Sequence, residues 1–315
     1  MRLLHDADLI DLPPGPLLAA VRDHLRADHE GRAIAPPRHR VEMGGDRAGA
    51  LVFTAGGDAR SVGFRAYETL PAPERPAEAP EDQIVACWDR ATARLRGLAV
   101  GARLGALRTG ALGGAALGAT RAGHGPLDVG VVGCGMQAAT QLWAAADTAA
   151  ISRVHVLCRT PARREAFAAE LRRDLGLDTV PSETAEAAVR GRDVVILATT
   201  ARAPVIEADW IAPHAHVTTV GPKRADAHEM PLELAARAAL IVSDSPAQIA
   251  AQADHMLAGD PAMAGLAHLG AHLGSAAPAV PQGIALYLSA GLAGPEVACL
   301  RAILDGDPER GTVVR

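Results

Sequence analysis

Short apolar runs alternate with helix-forming segments over the second part of the chain, starting at Asp128. The runs are nearly continuous in β-branched and other apolar residues, as expected for strands that are buried on both faces. They are Val129–Val132, Val154–Cys158, Val194–Thr199, His216–Val220 and Leu240–Ser243. Strands that alternate with helices in this way predict an α/β fold with a doubly wound parallel sheet of the Rossmann type.

Two helix-start signals lie directly after predicted strands of this region. Thr160 has the character of an N-cap, and Pro161 follows it at the first helical position, where proline is favoured. Ser245 and Gln248 have the spacing of a capping box. These signals predict helices after the strands Val154–Cys158 and Leu240–Ser243.

The first 118 residues lack this alternation and predict an α+β arrangement. An amphipathic helix is predicted over Leu17–Leu25, and a helix of small residues over Leu104–Ala119. The predicted strands are Ala50–Thr54, Ser61–Tyr67 and Gln83–Asp89.

The tail from about Ala276 onward leaves the Rossmann pattern, and Gly283–Leu304 is predicted to be a helix. We expect the tail to return to the first domain. The predicted domains are therefore 1–118 plus 276–315, discontinuous in sequence, and 119–275, the Rossmann domain.

Composition and charge exclude several classes of protein. The net charge is −5 without a basic tract, which disfavours nucleic acid as a partner. No uncharged apolar run is long enough to span a membrane, and acidic residues near the start disfavour a signal peptide. The cysteines are scattered without metal-ligand spacing, so we expect reduced thiols, no metal and a cytoplasmic location.

The segment after the strand Val129–Val132 carries a phosphate-binding signature. Gly133-x-Gly135-x-x-Ala138 follows the strand directly and opens a helix, as the dinucleotide fingerprint requires. Free backbone amides at the helix start then face the phosphates of a nicotinamide cofactor. The cofactor-binding residues predicted from this loop are Gly133, Cys134, Gly135, Met136 and Gln137.

The residues after the next strand indicate which nicotinamide cofactor binds. An acidic residue at this point would accept from the ribose 2′-hydroxyl of NAD, but the chain has Arg159 and Thr160, with Arg163 one turn later. An arginine here can pair with the 2′-phosphate of NADP. NADP(H) is therefore favoured and NAD(H) remains an alternative, as does an Arg159 that is only a solvated surface charge.

Several dispersed motifs together resemble the ornithine cyclodeaminase/mu-crystallin family. The resemblance implies a homodimer in which each chain joins a substrate-binding and dimerisation domain to a Rossmann domain. It also implies a small amino or imino acid, or keto acid, bound beside the nicotinamide. The motifs are Pro36-Pro37-Arg38, Gly63-Phe64-Arg65, Ala106–Ala111, the glycine loop, Val194–Thr200, Val220-Gly221 with Glu229-Met230, and Leu288–Ala293.

The resemblance also assigns site residues. Arg38 and Arg108 match arginines that hold the substrate carboxylate, a role that suits the fixed charge and forked donors of guanidinium. Ser289 and Gly291 match a segment that closes over the cofactor, although a simple helix start explains them equally well. The other implied cofactor contacts are Arg108, Thr109, Thr199, Thr200, Val220 and Gly221.

Three positions depart from the family pattern. The family lysine falls at Arg65, the family aspartate at Lys223, and a family glutamate at Val52. Arg65 can bind a carboxylate but hardly transfers a proton. The loss of these groups disfavours ornithine cyclisation, and the added positive charge favours an anionic substrate.

The proton donor is open between three residues. Lys223 is one candidate, if neighbouring arginines lower its pKa, and His228 and Asp226 are the alternatives. Glu229 is interpreted as a residue at a helix start.

These observations predict an NAD(P)-dependent oxidoreductase that acts on a small amino or imino acid, of the imine reductase, ketimine reductase or amino-acid dehydrogenase type. One alternative is an ammonia lyase of the cyclodeaminase type that recycles its NAD. The other is a non-catalytic, NADP(H)-dependent ligand-binding protein like mu-crystallin.

Overall fold

The computed structural model describes residues 1–44, 49–69, 82–121, 125–274 and 282–314. In chain order, the strands are β1 (Arg2–His5), β2 (His39–Met43), β3 (Gly49–Gly57), β4 (Ser61–Glu68), β5 (Gln83–Asp89), β6 (Leu95–Val100), β7 (Leu127–Val132), β8 (Ile151–Leu157), β9 (Thr179–Pro181), β10 (Val194–Leu197), β11 (His216–Thr219), β12 (Lys223–Arg224), β13 (Ala227–His228), β14 (Ala238–Ser243), β15 (Leu266–His268), β16 (Ile284–Leu288) and β17 (Thr312–Val313). The α-helices are α1 (Pro14–His29), α2 (Arg103–Arg121), α3 (Met136–Thr148), α4 (Pro161–Leu175), α5 (Ala185–Val189), α6 (Glu233–Arg237), α7 (Pro246–Ala251) and α8 (Pro295–Gly306).

The chain divides into two compact units. Unit 1 comprises Met1–Arg108 and Leu292–Arg315, and unit 2 comprises Thr109–Gly291. The predicted domain limits lie elsewhere, at 118/119 and 275/276. The predicted limit 118/119 and the observed limit 108/109 both fall inside α2, and residue 275 lies outside the described part of the chain.

Unit 1 is built on a sheet with the strand order β17-β1-β6-β5-β4-β3-β2 among its described residues. Strands β2 to β6 are antiparallel neighbours in the order in which they follow one another along the chain. In the turn between β3 and β4, the Asp58 carboxylate accepts from the amides of Arg60 and Ser61. Helices α1 and α8 pack together, and α8 covers β3 to β6.

Unit 2 contains a sheet in which every strand pair is parallel, in the described order β15-β14-β16-β11-β10-β7-β8-β9. Its central strands are buried on both faces: on β10, Val194 and Ile196 pack into one apolar cluster and Val195 and Leu197 into another, and all four are at most 3% exposed. Each such side chain contributes about 1.5–3 kcal/mol by leaving water. The predicted α/β fold with a Rossmann doubly wound sheet is confirmed.

The predicted helix over Gly283–Leu304 is wrong in its first half. Ile284–Leu288 is a buried strand, β16, that lies between β11 and β14 in the parallel sheet. The helix begins only at Pro295, after Gly291 and Gly294, which have left-handed φ values of 82° and 101°. The parallel sheet therefore continues past the point where the sequence pattern was interpreted to leave it.

The two predicted helix starts are placed correctly, but their side chains do not form caps. Thr160 and Ser245 are the N-cap residues of α4 and α7, and neither side chain accepts a capping hydrogen bond. The Ser245 amide donates to Ser243 Oγ at 3.1 Å, and the Gln248 side chain donates to the carbonyl of Gly291. None of the described helices is both long enough and apolar enough to cross a membrane.

Candidate functional site

The glycine loop joins β7 to α3 at the carboxyl end of the parallel sheet. Gly133 has a φ of 121°, and a Cβ atom there would lie 2.2 Å from the carbonyl oxygen of Ala198. Its amide donates to Leu157 O at 2.8 Å. Gly135 is the N-cap of α3, and a Cβ atom there would meet no atom within 4 Å. The first glycine is thus required by the backbone, and the second leaves open space beside the amides of a helix start.

A cavity of about 750 Å³ opens in front of this loop. Its walls are the loop, the end of β8 with the start of α4, and residues 198–201. The predicted cofactor residues on these walls are Gly133, Cys134, Gly135, Arg159, Thr160, Arg163, Thr199 and Thr200. Met136 and Gln137 form the first turn of α3. The donor-rich helix start and the open space at Gly135 fit a dinucleotide.

A second cavity of unit 2, of about 880 Å³, is lined by Leu127, Asp193 and Ala285. These residues lie at the amino ends of β7, β10 and β16. Ligands of open parallel sheets bind at the carboxyl ends of the strands. We therefore assign the cofactor to the cavity at the glycine loop.

Two arginines that follow β8, Arg159 and Arg163, differ in whether they have an ionic partner among the described residues. Arg163 is engaged with Glu170 at 2.7 Å and with Cys134 O at 3.2 Å. Arg159 is exposed and makes no ion pair with any described residue. Glu183, which sequence reasoning missed, lines the same cavity. It follows β9 by two residues, too far along the chain for the fingerprint to indicate it.

Glu229 is a fully buried carboxylate at this end of the sheet. One oxygen accepts from the amide and hydroxyl of Thr199, both at 2.7 Å. The other accepts from the Thr219 hydroxyl at 2.8 Å and from the amides of Val220 and Gly221 at 3.1 and 2.6 Å. The interpretation as a helix start is wrong, since α6 begins four residues later. Glu229 instead ties together the carboxyl ends of β10 and β11, where four of the predicted cofactor residues lie, and it binds three of them.

Lys223 is a buried cation of unit 2 that follows Gly221, at the end of β11, by two residues. Its amine donates to Gly221 O at 2.9 Å and is only 9% exposed. Burial lowers the pKa of Lys223 to about 8, and Glu229 and Asp244 act in the opposite direction. The predicted lowering of the pKa is present, but its cause is burial and not neighbouring arginines.

The alternative proton donors have different surroundings. His228 lies opposite Lys223 in the strand register of the β12–β13 hairpin. Its Nδ1 lies 2.9 Å from Met230 O. Asp226 lies at the turn of this hairpin, is 55% exposed, and pairs with Arg224 and Arg202. Hydrogen bonding and charge from Arg224 lower the pKa of Asp226. These contacts favour Lys223 over Asp226 as a donor near neutral pH.

The turn after β16 is held by a second buried carboxylate. Asp244 accepts from the amides of Ala290 and Gly291 at 2.7 and 2.8 Å, and from the Tyr287 hydroxyl at 3.2 Å. Ser289 and Gly291 therefore lie in a fixed turn, and the alternative of a simple helix start is wrong.

Thr109, another predicted cofactor residue, is buried, and its carbonyl accepts from the Gln141 amide at 2.9 Å.

Unit 1 brings together two of the predicted carboxylate-binding arginines. Arg65 of β4 and Arg108 of α2 both bind Oε1 of Glu296, on the first turn of α8, with the Arg65 contact at 3.2 Å. Burial lowers the pKa of Arg65, and the charges of Arg108 and Arg38 act in the same direction. Arg38 itself is half-buried just before β2. Val52, at the position of the family glutamate, is fully buried on β3. Sequence reasoning missed Glu296, whose partners lie 231 and 188 residues away.

Among curated proteins, the ketimine reductase mu-crystallin of Rattus norvegicus is 28% identical over 175 residues. The match covers 56% of this chain and 54% of the rat protein, so it spans about half the length of that relative.

Solved structures match over nearly the whole chain. The Thermococcus litoralis Delta(1)-pyrroline-2-carboxylate reductase in complex with NADH and L-proline has a TM-score of 0.86 at 24% identity and covers 100% of both chains. An archaeal alanine dehydrogenase dimer with bound NAD has a TM-score of 0.85 at 21% identity, covering 100% of this chain and 99% of that chain. These likenesses show the fold. A family model matches residues 15–309, and the chain belongs to the ornithine cyclodeaminase/mu-crystallin family.

Proposed function

We propose that the protein is an NAD(P)-dependent oxidoreductase that interconverts a small imino acid and the corresponding amino acid. The observation that carries this proposal is Lys223. It is a buried amine with a pKa of about 8, located two residues after Gly221 at the carboxyl end of the sheet that bears the glycine loop. A group with such a pKa exchanges protons readily near neutral pH.

The nicotinamide cofactor, when bound, supplies or accepts the hydride. The glycine loop and the first turn of α3 would hold its phosphates, because the helix start offers backbone amides and a Cβ atom at Gly135 would meet only open space. Glu229 fixes the strand ends that carry Thr199 and Gly221, and Asp244 fixes the turn that carries Ser289. These buried carboxylates would hold the predicted cofactor contacts in place.

Lys223 is the proposed proton donor to the nitrogen of the imino acid during reduction, and the acceptor in the reverse direction. Its hydrogen bond to Gly221 O holds the amine in one orientation. His228, across the hairpin, remains a second candidate, and its bond to Met230 O leaves Nε2 for another partner.

The substrate carboxylate is assigned to Arg65 and Arg108, with Arg38 adding positive charge near Arg65. Guanidinium groups remain protonated at any working pH and bind planar carboxylates with paired hydrogen bonds. An anionic substrate with at least one carboxylate follows from this assignment.

NADP(H) is the favoured cofactor because Arg159 is exposed at the end of β8 without an ionic partner among the described residues. Glu183 on the same cavity is the group that would serve the 2′-hydroxyl of NAD. A homodimer in the cytoplasm completes the proposal. The dimer is supported by the archaeal alanine dehydrogenase dimer of the same fold.

The test is oxidation of NADPH and of NADH by the purified protein, followed by absorbance. The substrates are Δ1-pyrroline-2-carboxylate and imines formed from 2-keto acids with ammonia or methylamine. We expect turnover with at least one imino acid and a preference for NADPH. Failure with every substrate at high enzyme concentration overturns the proposal, and ammonia release from ornithine without added cofactor would support the cyclodeaminase alternative instead.

A further inference from the structure

Glu296 occupies an unusual position for a carboxylate. It lies on the first turn of α8, is 2% exposed, and uses a single oxygen, Oε1, to contact both Arg65 Nη1 and Arg108 Nη2. Two like charges are therefore held at one negative atom. Without that atom, the two guanidinium groups would repel each other in a poorly solvated site.

The charge state of Glu296 is fixed by its neighbours. Burial raises the pKa of this carboxyl, but Arg108 and Arg65 outweigh burial and bring the pKa below its usual value. Glu296 is therefore ionised at neutral pH. Two guanidinium groups and one carboxylate leave this triad with a single net positive charge, to which Arg38 adds.

Arg65 is constrained from further directions. Its Nε donates to Gln83 Oε1 at 2.9 Å, and its guanidinium carbon lies 4.4 Å from the centre of the Tyr67 ring. With Nη1 on Glu296, the plane of the guanidinium is defined by three neighbours. Glu296 contacts both Arg65 and Arg108, so it sets the position of one guanidinium relative to the other.

We propose that Glu296 is a positioning residue that holds Arg65 and Arg108 as a pair for one substrate carboxylate and selects against a second carboxylate. The inference rests on the proposed function for the identity of the ligand as an imino or amino acid. The selection follows from charge. An ionised Glu296 lowers the attraction of the site for every anion, and lowers it more for a dianion than for a monoanion.

The test compares Glu296→Gln, Glu296→Asp and, as a matched control, Glu309→Gln. Glu309 is an almost fully exposed carboxylate in the same unit that pairs with Arg2. Binding of propionate and of succinate to the full chain is measured by titration calorimetry. Turnover is measured with monocarboxylic and dicarboxylic imino acids made from pyruvate and oxaloacetate.

For Glu296→Gln we expect the ratio of succinate to propionate affinity to rise by about tenfold, because one negative charge is removed near the ligand. Glu296→Asp keeps the charge but shortens the side chain, so both acids should bind about tenfold more weakly at an unchanged ratio. Glu309→Gln should alter neither quantity. A purely structural role for Glu296 would weaken both acids equally in the glutamine variant.

An unchanged ratio in Glu296→Gln overturns the inference. If that variant does not fold, as judged by thermal unfolding, wild-type affinities in Glu296→Asp overturn it. Calorimetry separates this inference from the proposed function. A changed ratio without turnover in the wild type leaves the inference standing and removes the proposed function, whereas turnover with an unchanged ratio does the reverse.

Discussion

The two units hold their buried charges in different ways. In unit 2, Glu229 is surrounded by neutral donors, and Lys223 donates to a backbone carbonyl. In unit 1, Arg65, Arg108 and Glu296 are bound to one another as ions. A charge held by neutral groups can lose or gain a proton without breaking an ion pair, whereas mutually paired ions keep their charge. Unit 2 is thus suited to proton transfer and unit 1 to binding.

The largest effect should come from removing the amine of unit 2. Lys223→Met should lower kcat by about 10²–10⁴-fold, the usual contribution of a general acid, with cofactor affinity little changed. Steady-state kinetics and cofactor titration measure the two quantities. Asp226→Asn is the matched control on the same hairpin and should leave kcat unchanged. A full loss of activity in the aspartate variant alone would transfer the proton role to Asp226.

The pH dependence of stability tests the same residue without turnover. The pKa of Lys223 is about 8 in the folded protein and about 10.4 in an unfolded chain. Between these values the unfolded chain binds more protons, so the free energy of unfolding should rise with pH, by up to about 3 kcal/mol. Urea denaturation at several pH values should show this rise in the wild type and not in Lys223→Met. An identical pH profile in both proteins would contradict the burial of a charged amine.

The next effect concerns the Glu229 cage, which consists of the five neutral donors around that carboxylate and belongs to Thr199, Thr219, Val220 and Gly221. Glu229→Gln places an amide against five donors, so at least one donor loses its partner. We expect the free energy of unfolding to fall by about 2–3 kcal/mol, measured by urea denaturation. The exposed Glu233→Gln, on α6, should change it by less than about 0.5 kcal/mol. Equal losses in both variants would show that the cage is not what stabilises the strand ends.

The smallest effect concerns Arg159, an exposed charge without an ionic partner in the part of the chain that the structure describes. Arg159→Ala should raise the KM for NADPH by about tenfold and leave the KM for NADH nearly unchanged, since only NADPH carries the 2′-phosphate. Arg153→Ala, an exposed arginine of β8 that pairs with Asp178, should affect neither KM. Equal values for the two cofactors in the wild type would favour Arg159 as a solvated surface charge.

The sequence pattern predicted the parallel sheet well and misassigned one of its central strands. Ile284–Leu288 is buried throughout, and a short continuous apolar run has no periodicity that separates a strand from a buried helix. The glycine loop was predictable because all its constraints are local: the strand before it, the turn at Gly133 and the helix after it.

The roles of the buried carboxylates were not predictable from the sequence, because their partners are distant along the chain. Glu229 binds groups 8 to 30 residues away, and Glu296 binds arginines about 200 residues away. A glutamate in a sequence normally indicates an exposed position or a helix start. Only the fold shows that these two are enclosed, and that Lys223 owes its lowered pKa to burial.

The cage around Glu229 also has a consequence for hydrogen exchange. The amides of Thr199, Val220 and Gly221 share one acceptor group, although they belong to the ends of two different strands. Opening either strand end removes the carboxylate from its other donors, so we expect these amides to exchange with solvent together, although the Val220 amide also donates to Leu197 O. The carboxyl ends of β10 and β11 are in this respect expected to open as a single unit.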